Sequence, residues 1–323
     1  MDGQDGRDGR DGLAQRFEAQ RGRLRALAHR LLGSREEAED AVQEAWFRLG
    51  RVDPAEVENL PGWLRTVVTR ICLDILRSRG ARREVGLDEV IEAEAARHNP
   101  PEDAAVRADA VSHALLAVLD TLTPAERVAF VLHDMFAVPF QEIAPLIDRT
   151  PGTAKKLASR GRHKVRGTPA VPAAELARRR HLVTAFLTAA RAGDVPGVLR
   201  VLAPDVVRRA DAAALPPGAA RELRGADAVA RGTAALARRA HLAEPALIDG
   251  QVGAVIAPRG RLLLALTFTV RDGLISGYEV LADPARLRRL ALAVLPAPPA
   301  PPAPGTEGSE GDEPDDGDGQ DRG

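Results

Sequence analysis

The sequence predicts a multidomain protein with two all-α helical domains followed by an α+β domain. Three observations carry this. Through the first half, apolar residues recur at three- and four-residue spacing between helix start signals. Between Pro139 and Arg166, two short helical segments flank the turn Asp148-Arg149-Thr150-Pro151-Gly152. After Pro172 the period changes: helices give way to short strands separated by Asp249-Gly250, Pro258-Arg259-Gly260 and Asp272-Gly273. A chain of 323 residues has room for two or three such cores.

Residues 1–12, with their Asp-Gly-Arg repeats, read as disordered, and they have no apolar run that would make a signal peptide. Residues 13–83 form the first helical domain. A helix runs from Leu13 to about Leu32, Gly33-Ser34 breaks it, and Ser34 with Glu37 makes a capping box for the next. That helix, Arg35 to Leu49, gathers Ala38, Val42, Ala45, Trp46 and Leu49 on one side and Glu36, Asp40, Gln43, Glu44, Phe47 and Arg48 on the other. Phe47 among polar residues either marks a partner surface or packs on the preceding helix. After a loop over Gly50 to Asn59, Pro61 opens a helix at its favoured first turn. There Leu64, Val67, Val68, Ile71, Ile75 and Leu76 line the buried side, and Thr66, Arg70, Asp74 and Arg77 share another face. Trp63 and the single cysteine, Cys72, have apolar neighbours and read as core.

Residues 84–107, polar and acidic with Asn99-Pro100-Pro101, read as a linker. The second helical domain spans 108–166. It starts with a helix over Ala108 to Leu119, and Thr123-Pro124-Ala125-Glu126 is the start signal of a second helix that leads toward the turn. Residues 167–174 form a second linker. The α+β domain, 175–294, should have helices over Glu175–Ala192, Val195–Leu202 and Ala226–Ala240. Strands should follow over Ala246–Asp249, Val252–Ala257, Leu262–Val270 and Leu274–Leu281, with Arg286–Val294 closing as a last helix. Helices followed by a strand meander point to a curved sheet wrapped on a helix. Residues 295–323, Pro-rich and then acidic, read as disordered.

The formal net charge of −1 hides an asymmetry, because the acidic tail offsets a basic remainder. The bases concentrate in the helix after Pro151. Ala154, Leu157, Ala158, Gly161 and Val165 make its apolar stripe; Lys155, Lys156, Ser159, Arg160, Arg162, His163 and Lys164 lie opposite without a carboxylate. Two short helices, a tight turn and a basic second helix make a helix-turn-helix whose second helix can enter a major groove. Lys155, Lys156, Ser159 and Arg160, near its start, suit base edges or adjacent phosphates; Arg162, His163 and Lys164 suit phosphates. Thr150 and Thr153 can cap the helix and place its amides on a phosphate. In the third domain Asp205, Asp211, Asp249, His181 and His241 are acid–base candidates by residue type alone, since no spacing pairs them. No motif calls for a metal or cofactor, and no run reaches the ~20 apolar residues of a membrane span.

AEDAVQEAWFRL (38–49), WLRTVVTRICLDILRSR (63–79) and LTPAERVAFVLHDMFAVPFQEIAPLIDRTPGTAKKLASRGRHKVR (122–166) resemble, in order, regions 2.1–2.2, 2.3–2.4 and 4 of the extracytoplasmic-function (ECF) sigma factors. The resemblance covers Phe17 to Arg166. It implies a cytoplasmic, non-enzymatic factor that directs core RNA polymerase to specific promoters and initiates transcription there. It implies polymerase contacts by Asp40, Gln43, Glu44, Phe47 and Arg48. The minus-ten element falls to Thr66, Arg70, Asp74 and Arg77, with the loop Asp53 to Leu60 as receptor for a flipped base. The minus-thirty-five element falls to Thr153, Lys155, Lys156, Ser159, Arg160, Arg162 and His163. The last domain resembles the SnoaL-like cone fold, and Ala282–Leu290 resembles the end of the subgroup that carries it. In that subgroup the domain contacts the sigma core and regulates it in cis, and its pocket could receive a small ligand. The subgroup's glycine-rich motif is absent from Val206 to Leu215. Pro139 replaces a usual polar cap, and Pro145 should kink the first helix of the pair. The alternatives are a stand-alone ligand-responsive DNA-binding regulator and a SnoaL-type enzyme fused to a DNA-binding module.

Overall fold

A computed structural model of the chain describes residues 5–52, 57–79, 112–215 and 218–296. The first helical lobe comprises α1 (Asp5–Leu32), α2 (Arg35–Leu49) and α3 (Leu60–Arg79). Helix α1 starts earlier than the expected Leu13 and takes in part of the stretch read as disordered. Once a helix is nucleated, each further residue adds one backbone bond at little cost. Ser34 caps α2 by accepting from the Glu37 amide at 3.3 Å, and Asn59 caps the start of α3 through the Gly62 amide at 3.1 Å. Cys72 and Leu64 are fully buried, and Trp63 and Trp46 pack against the same core. Burial pushes the Cys72 thiol up to about 12, so it is an inert small hydrophobe. The linker 84–107 and the start of the loop over 53–60 lie outside the described residues.

The second lobe comprises α4 (His113–Asp120), α5 (Pro124–Phe130), α6 (Phe140–Ile143) and α7 (Pro151–Arg166). The expected capping box forms at Thr123 and Glu126. Helix α5 widens into a π-helical turn over Val131–Met135. Pro145 acts as expected: without a donor to continue the α pattern, α6 tightens into a 3-10 turn over Ala144–Leu146. Pro139 precedes α6 and supplies no side-chain cap.

The third region comprises α8 (Ala173–Ala192), α9 (Val195–Leu199), β1 (Leu202–Ala210), β2 (Glu222–Arg224), α10 (Ala226–Ala234), α11 (Ala237–Ala240), β3 (Ala243–Ile248), β4 (Gln251–Ile256), β5 (Leu264–Arg271), β6 (Leu274–Leu281), α12 (Pro284–Leu287) and β7 (Leu292–Ala293). One seven-stranded sheet runs β2-β1-β6-β5-β4-β3-β7, antiparallel except for the β1–β6 pair. Helix α8 covers one face with Val183, Phe186 and Leu187, where Phe186 meets Phe268 and Tyr278 edge-on. This is the expected α+β arrangement of a sheet packed on a helix.

Three details differ from the sequence reading. The second helix of this region ends at Leu199, and Leu202 begins β1, because VVRRA alternates buried and exposed. Strand β2 was not foreseen, being only three residues long. The expected helix over Arg286–Val294 is instead the short α12 followed by β7: Leu292 pairs with Ile248, and Asp249 accepts from the Ala291 amide at 2.8 Å.

The sheet's other face is buried too. Strand β4 sends Val252, Ala254 and Ile256 into the core under α8, and Val255, followed by Ala257 just beyond the strand, into the core of the helical lobes. Strand β3 divides likewise, with Ala243 and Leu247 on one side and Ala246 and Ile248 on the other. Burying a Val, Ile or Leu side chain contributes roughly 1.5–3 kcal/mol. This apolar face therefore outweighs the exposed ion pairs around it, worth about 0–1 kcal/mol each.

Candidate nucleic-acid interface

Helix α7 begins where Thr150 accepts from the Thr153 amide at 3.2 Å, with Pro151 in the first turn. Ala154, Ala158, Gly161 and Val165 face the lobe core. Gly161 permits close approach to α5: a Cβ there would stand 3.0 Å from Phe130. On the opposite side Lys155, Lys156, Ser159, Arg160 and His163 are exposed, and Thr153 is half-buried beside Thr150. Arg162 and Lys164 are engaged internally. Arg162 meets Asp134 at 2.6 Å and Lys164 meets the buried Glu126 at 2.8 Å. The structure thus divides the expected set: one basic face is open, and two bases tie α7 to the preceding helix.

Helix α3 carries Thr66, Arg70, Asp74 and Arg77. Arg70 and Asp74 are exposed. Thr66 is half-buried and donates to the Gly62 carbonyl one turn back at 2.9 Å. Arg77 lies 3.8 Å from Asp74 and 3.9 Å from Asp148, the left-handed residue of the helix-turn-helix turn. Arg65, one residue before Thr66, pairs with Glu142 of α6. The two lobes therefore meet at Arg65 and Arg77, along the edge of the face expected to meet DNA, and leave Arg70 and Asp74 open.

A buried guanidinium joins them further in. Arg127 of α5, 3% exposed, meets Asp120 at 2.9 Å and donates to the Leu31 carbonyl in the last turn of α1 at 2.9 Å. The helix C-terminus favours a cation. His29 lies in the same junction; burial, aided by Arg35, Arg30 and His113, lowers its pKa to about 4, so it is neutral there.

Asp40, Gln43, Glu44, Phe47 and Arg48 form one exposed strip along α2. Arg48 pairs with Glu44 at 2.9 Å. Phe47 is 54% exposed while its neighbour Trp46 turns inward on Phe17, so Phe47 does not pack on α1.

The third region reaches both lobes. Glu244 of β3 accepts from the Ser112 hydroxyl and, at 2.9 Å, from the Ala114 amide at the start of α4. The Val294 amide donates to the Val165 carbonyl at 2.8 Å. The turn Pro258–Gly260 wedges between the lobes. A Cβ on Gly33 would stand 2.6 Å from the Arg259 carbonyl oxygen, and one on Gly260 3.2 Å from Leu116. Arg259 also lies 3.5 Å from Glu36. The sequence marked Pro258-Arg259-Gly260 only as a turn and Gly33 only as a helix break; the signal of a docked face was there in VGAVIA, apolar on both faces where a strand with one wet face would alternate.

The acid–base candidates are not brought together. Asp211 accepts from the Ala282 and Asp283 amides, both at 3.0 Å, and Asp249 accepts from Ala291, so both are turn fixtures. Asp205 is exposed beside Arg271, and His181 and His241 are exposed. Among the described residues no His, Cys, Asp and Glu cluster could hold a metal, and no helix is long and apolar enough to cross a membrane.

Residues 16–82 match the family model for Sigma-70 region 2, and residues 112–165 that for Sigma-70, region 4. The chain is 36% identical over 293 residues to the ECF RNA polymerase sigma factor SigJ of Mycobacterium tuberculosis, covering 83% of this chain and 91% of the relative. It is 38% identical over 204 residues to the probable ECF RNA polymerase sigma factor SigI of the same species, covering 61% of this chain and 69% of the relative. Among solved structures, the crystal structure of the M. tuberculosis SigJ matches with 34% identity, 84% of this chain, 97% of that chain and a TM-score of 0.41.

Proposed function

The chain belongs to the ECF sigma factors of RNA polymerase, and from that premise we propose how its surfaces divide the work and how its third region restrains them. The open face of α7 (Thr153, Lys155, Lys156, Ser159, Arg160 and His163) reads the minus-thirty-five element. Arg162 joins it after exchanging Asp134 for a phosphate. Thr66, Arg70, Asp74 and Arg77 of α3 meet the minus-ten element, and the α2 strip with Phe47 as apolar anchor holds core polymerase.

The two promoter elements lie about 25 base pairs apart, roughly 85 Å at ~3.4 Å per pair. In the packed form Arg77 of α3 touches Asp148 of the helix-turn-helix. That form cannot span both elements, so the lobes must part before the promoter is engaged. The third region opposes this, with its sheet face buried in the shared core and its Pro258–Gly260 turn lodged against both lobes. That bridging turn is the observation that carries the reading: the C-terminal domain holds the sigma core closed in cis.

In vitro transcription with purified core polymerase tests it. Val255→Asp puts a carboxylate into the docked sheet face, on the side away from the domain's own core. The variant should open, as small-angle scattering would show, and yield more promoter-specific transcript than the unmodified chain. An opened variant with equal or lower output would overturn the restraint.

A further inference from the structure

The C-terminal domain holds a narrow cavity of about 70 Å³ between α8, α10, α11 and the inner sheet face. Phe186, Leu236, Ile256, Leu264 and Leu266 make it mostly apolar. Arg208 of β1 lies in this lining and is only 6% exposed. The alternation along β1 explains why: Val206 and Arg208 point inward while Asp205 and Arg209 point out. Its neighbours in register are Leu223 on β2 and Tyr278 on β6.

A buried guanidinium is expected to have an acidic partner. Arg208 has none among the described residues: its hydrogen bond goes to the neutral Ala220 carbonyl at 3.2 Å. No Asp or Glu lines the cavity, and the second arginine there, Arg239, donates to the Ala214 carbonyl at 2.9 Å. Gly232 packs closely here: a Cβ there would stand 2.7 Å from Leu223 and 4.0 Å from Arg208 Nη2. The Tyr278 hydroxyl is 2.8 Å from Thr233, whose own proton goes to the Val229 carbonyl at 2.8 Å. Tyr278 therefore donates to Thr233 and offers lone pairs to the cavity. Burial pushes its pKa up, so it remains a neutral hydroxyl. A bound group facing the cavity thus meets the Arg208 guanidinium, the Tyr278 hydroxyl as acceptor and apolar walls.

We propose that this cavity binds a small organic carboxylate with an apolar body, its carboxylate on the Arg208 guanidinium and its body among Phe186, Leu236, Ile256 and Leu264. The fork of an arginine matches a carboxylate with two parallel hydrogen bonds, and the dry walls strengthen them. The site stands apart from the restraint proposed above, and either can fail alone.

Isothermal titration of the full chain with phenylacetate and hexanoate, against their neutral amides phenylacetamide and hexanamide, tests it. At least one acid should bind about ten- to hundredfold more tightly than its amide, the difference expected of hydrogen bonds to a charged group. Arg208→Gln should abolish the preference for acid. Arg208→Lys keeps a charge without the fork, so it should bind the acid about tenfold more weakly than the unmodified chain yet still prefer it; this variant carries the test if the glutamine variant fails to fold. The proposal is overturned if neither acid binds at millimolar concentration, if acid and amide bind alike, or if both variants bind the acid as the unmodified chain does.

Discussion

Helices α3 and α7 look alike in sequence, each an apolar stripe backed by a polar face with arginines, but the fold treats them differently. Helix α7 keeps Lys155, Lys156, Ser159, Arg160 and His163 open to solvent. Helix α3 spends part of its polar face on the neighbouring lobe, with Arg65 on Glu142 and Arg77 near Asp148. A charged face therefore records where a surface is polar, and only the partner elements decide whether it is free. The difference also ranks the two helices. The open bases of α7 are accessible in the packed form, whereas on α3 Arg70 and Asp74 are accessible and Arg65 and Arg77 are engaged with the other lobe.

The largest expected effect lies under both helices. Arg127→Ala removes the buried guanidinium that bonds Asp120 and the Leu31 carbonyl and should lower stability by about 3–6 kcal/mol, since two hydrogen bonds to a charged group, worth about 1.5–3 kcal/mol each, are lost. Urea unfolding would show a lower midpoint at unchanged slope. An unshifted midpoint would mean that Arg127 does not join the lobes.

The open helix comes next. Arg160→Ala should weaken promoter binding by the holoenzyme by roughly 1–3 kcal/mol if the guanidinium grips a base edge. A gel shift with polymerase present checks this, and unchanged affinity removes Arg160 from the readout. The smallest effect has the opposite sign. Glu142→Gln with Asp148→Asn frees Arg65 and Arg77 while leaving Lys155, Lys156, Arg160 and His163 in place. Two exposed pairs are worth about 0–1 kcal/mol each, so promoter affinity should rise up to roughly thirtyfold, and less at high salt, where such pairs are already screened. A fall in affinity would erase the distinction between the helices.

Much of this was legible in the sequence because the signals were local. Ser34, Thr123 and Thr150 cap the helices they precede. Pro145 forces the 3-10 turn, and Asp249-Gly250 makes the turn between β3 and β4 through two left-handed residues. The same logic failed near residue 290. Leu292 and Ala293 carry no strand signal by themselves and become β7 only because Leu247 and Ile248 present an open edge. Arg208 was passed over as one basic residue among many. That no carboxylate among the described residues pairs with it appears only once β1 is laid between β2 and β6.

The sequence by itself determined the two helical lobes and the helix-turn-helix with its basic face, since these rest on periodicity, caps and turn residues a few positions apart, and it carried the family through the resemblance of its three motifs. Only the tertiary structure decided that the lobes close on each other, that Val255 and Ile248 join the helical core rather than their own, and that Arg208 is buried with no acid beside it among the described residues. Each of these depends on which distant segment supplies the opposing surface, and a side chain's burial or charge partner is a property of that meeting rather than of its neighbours in the chain.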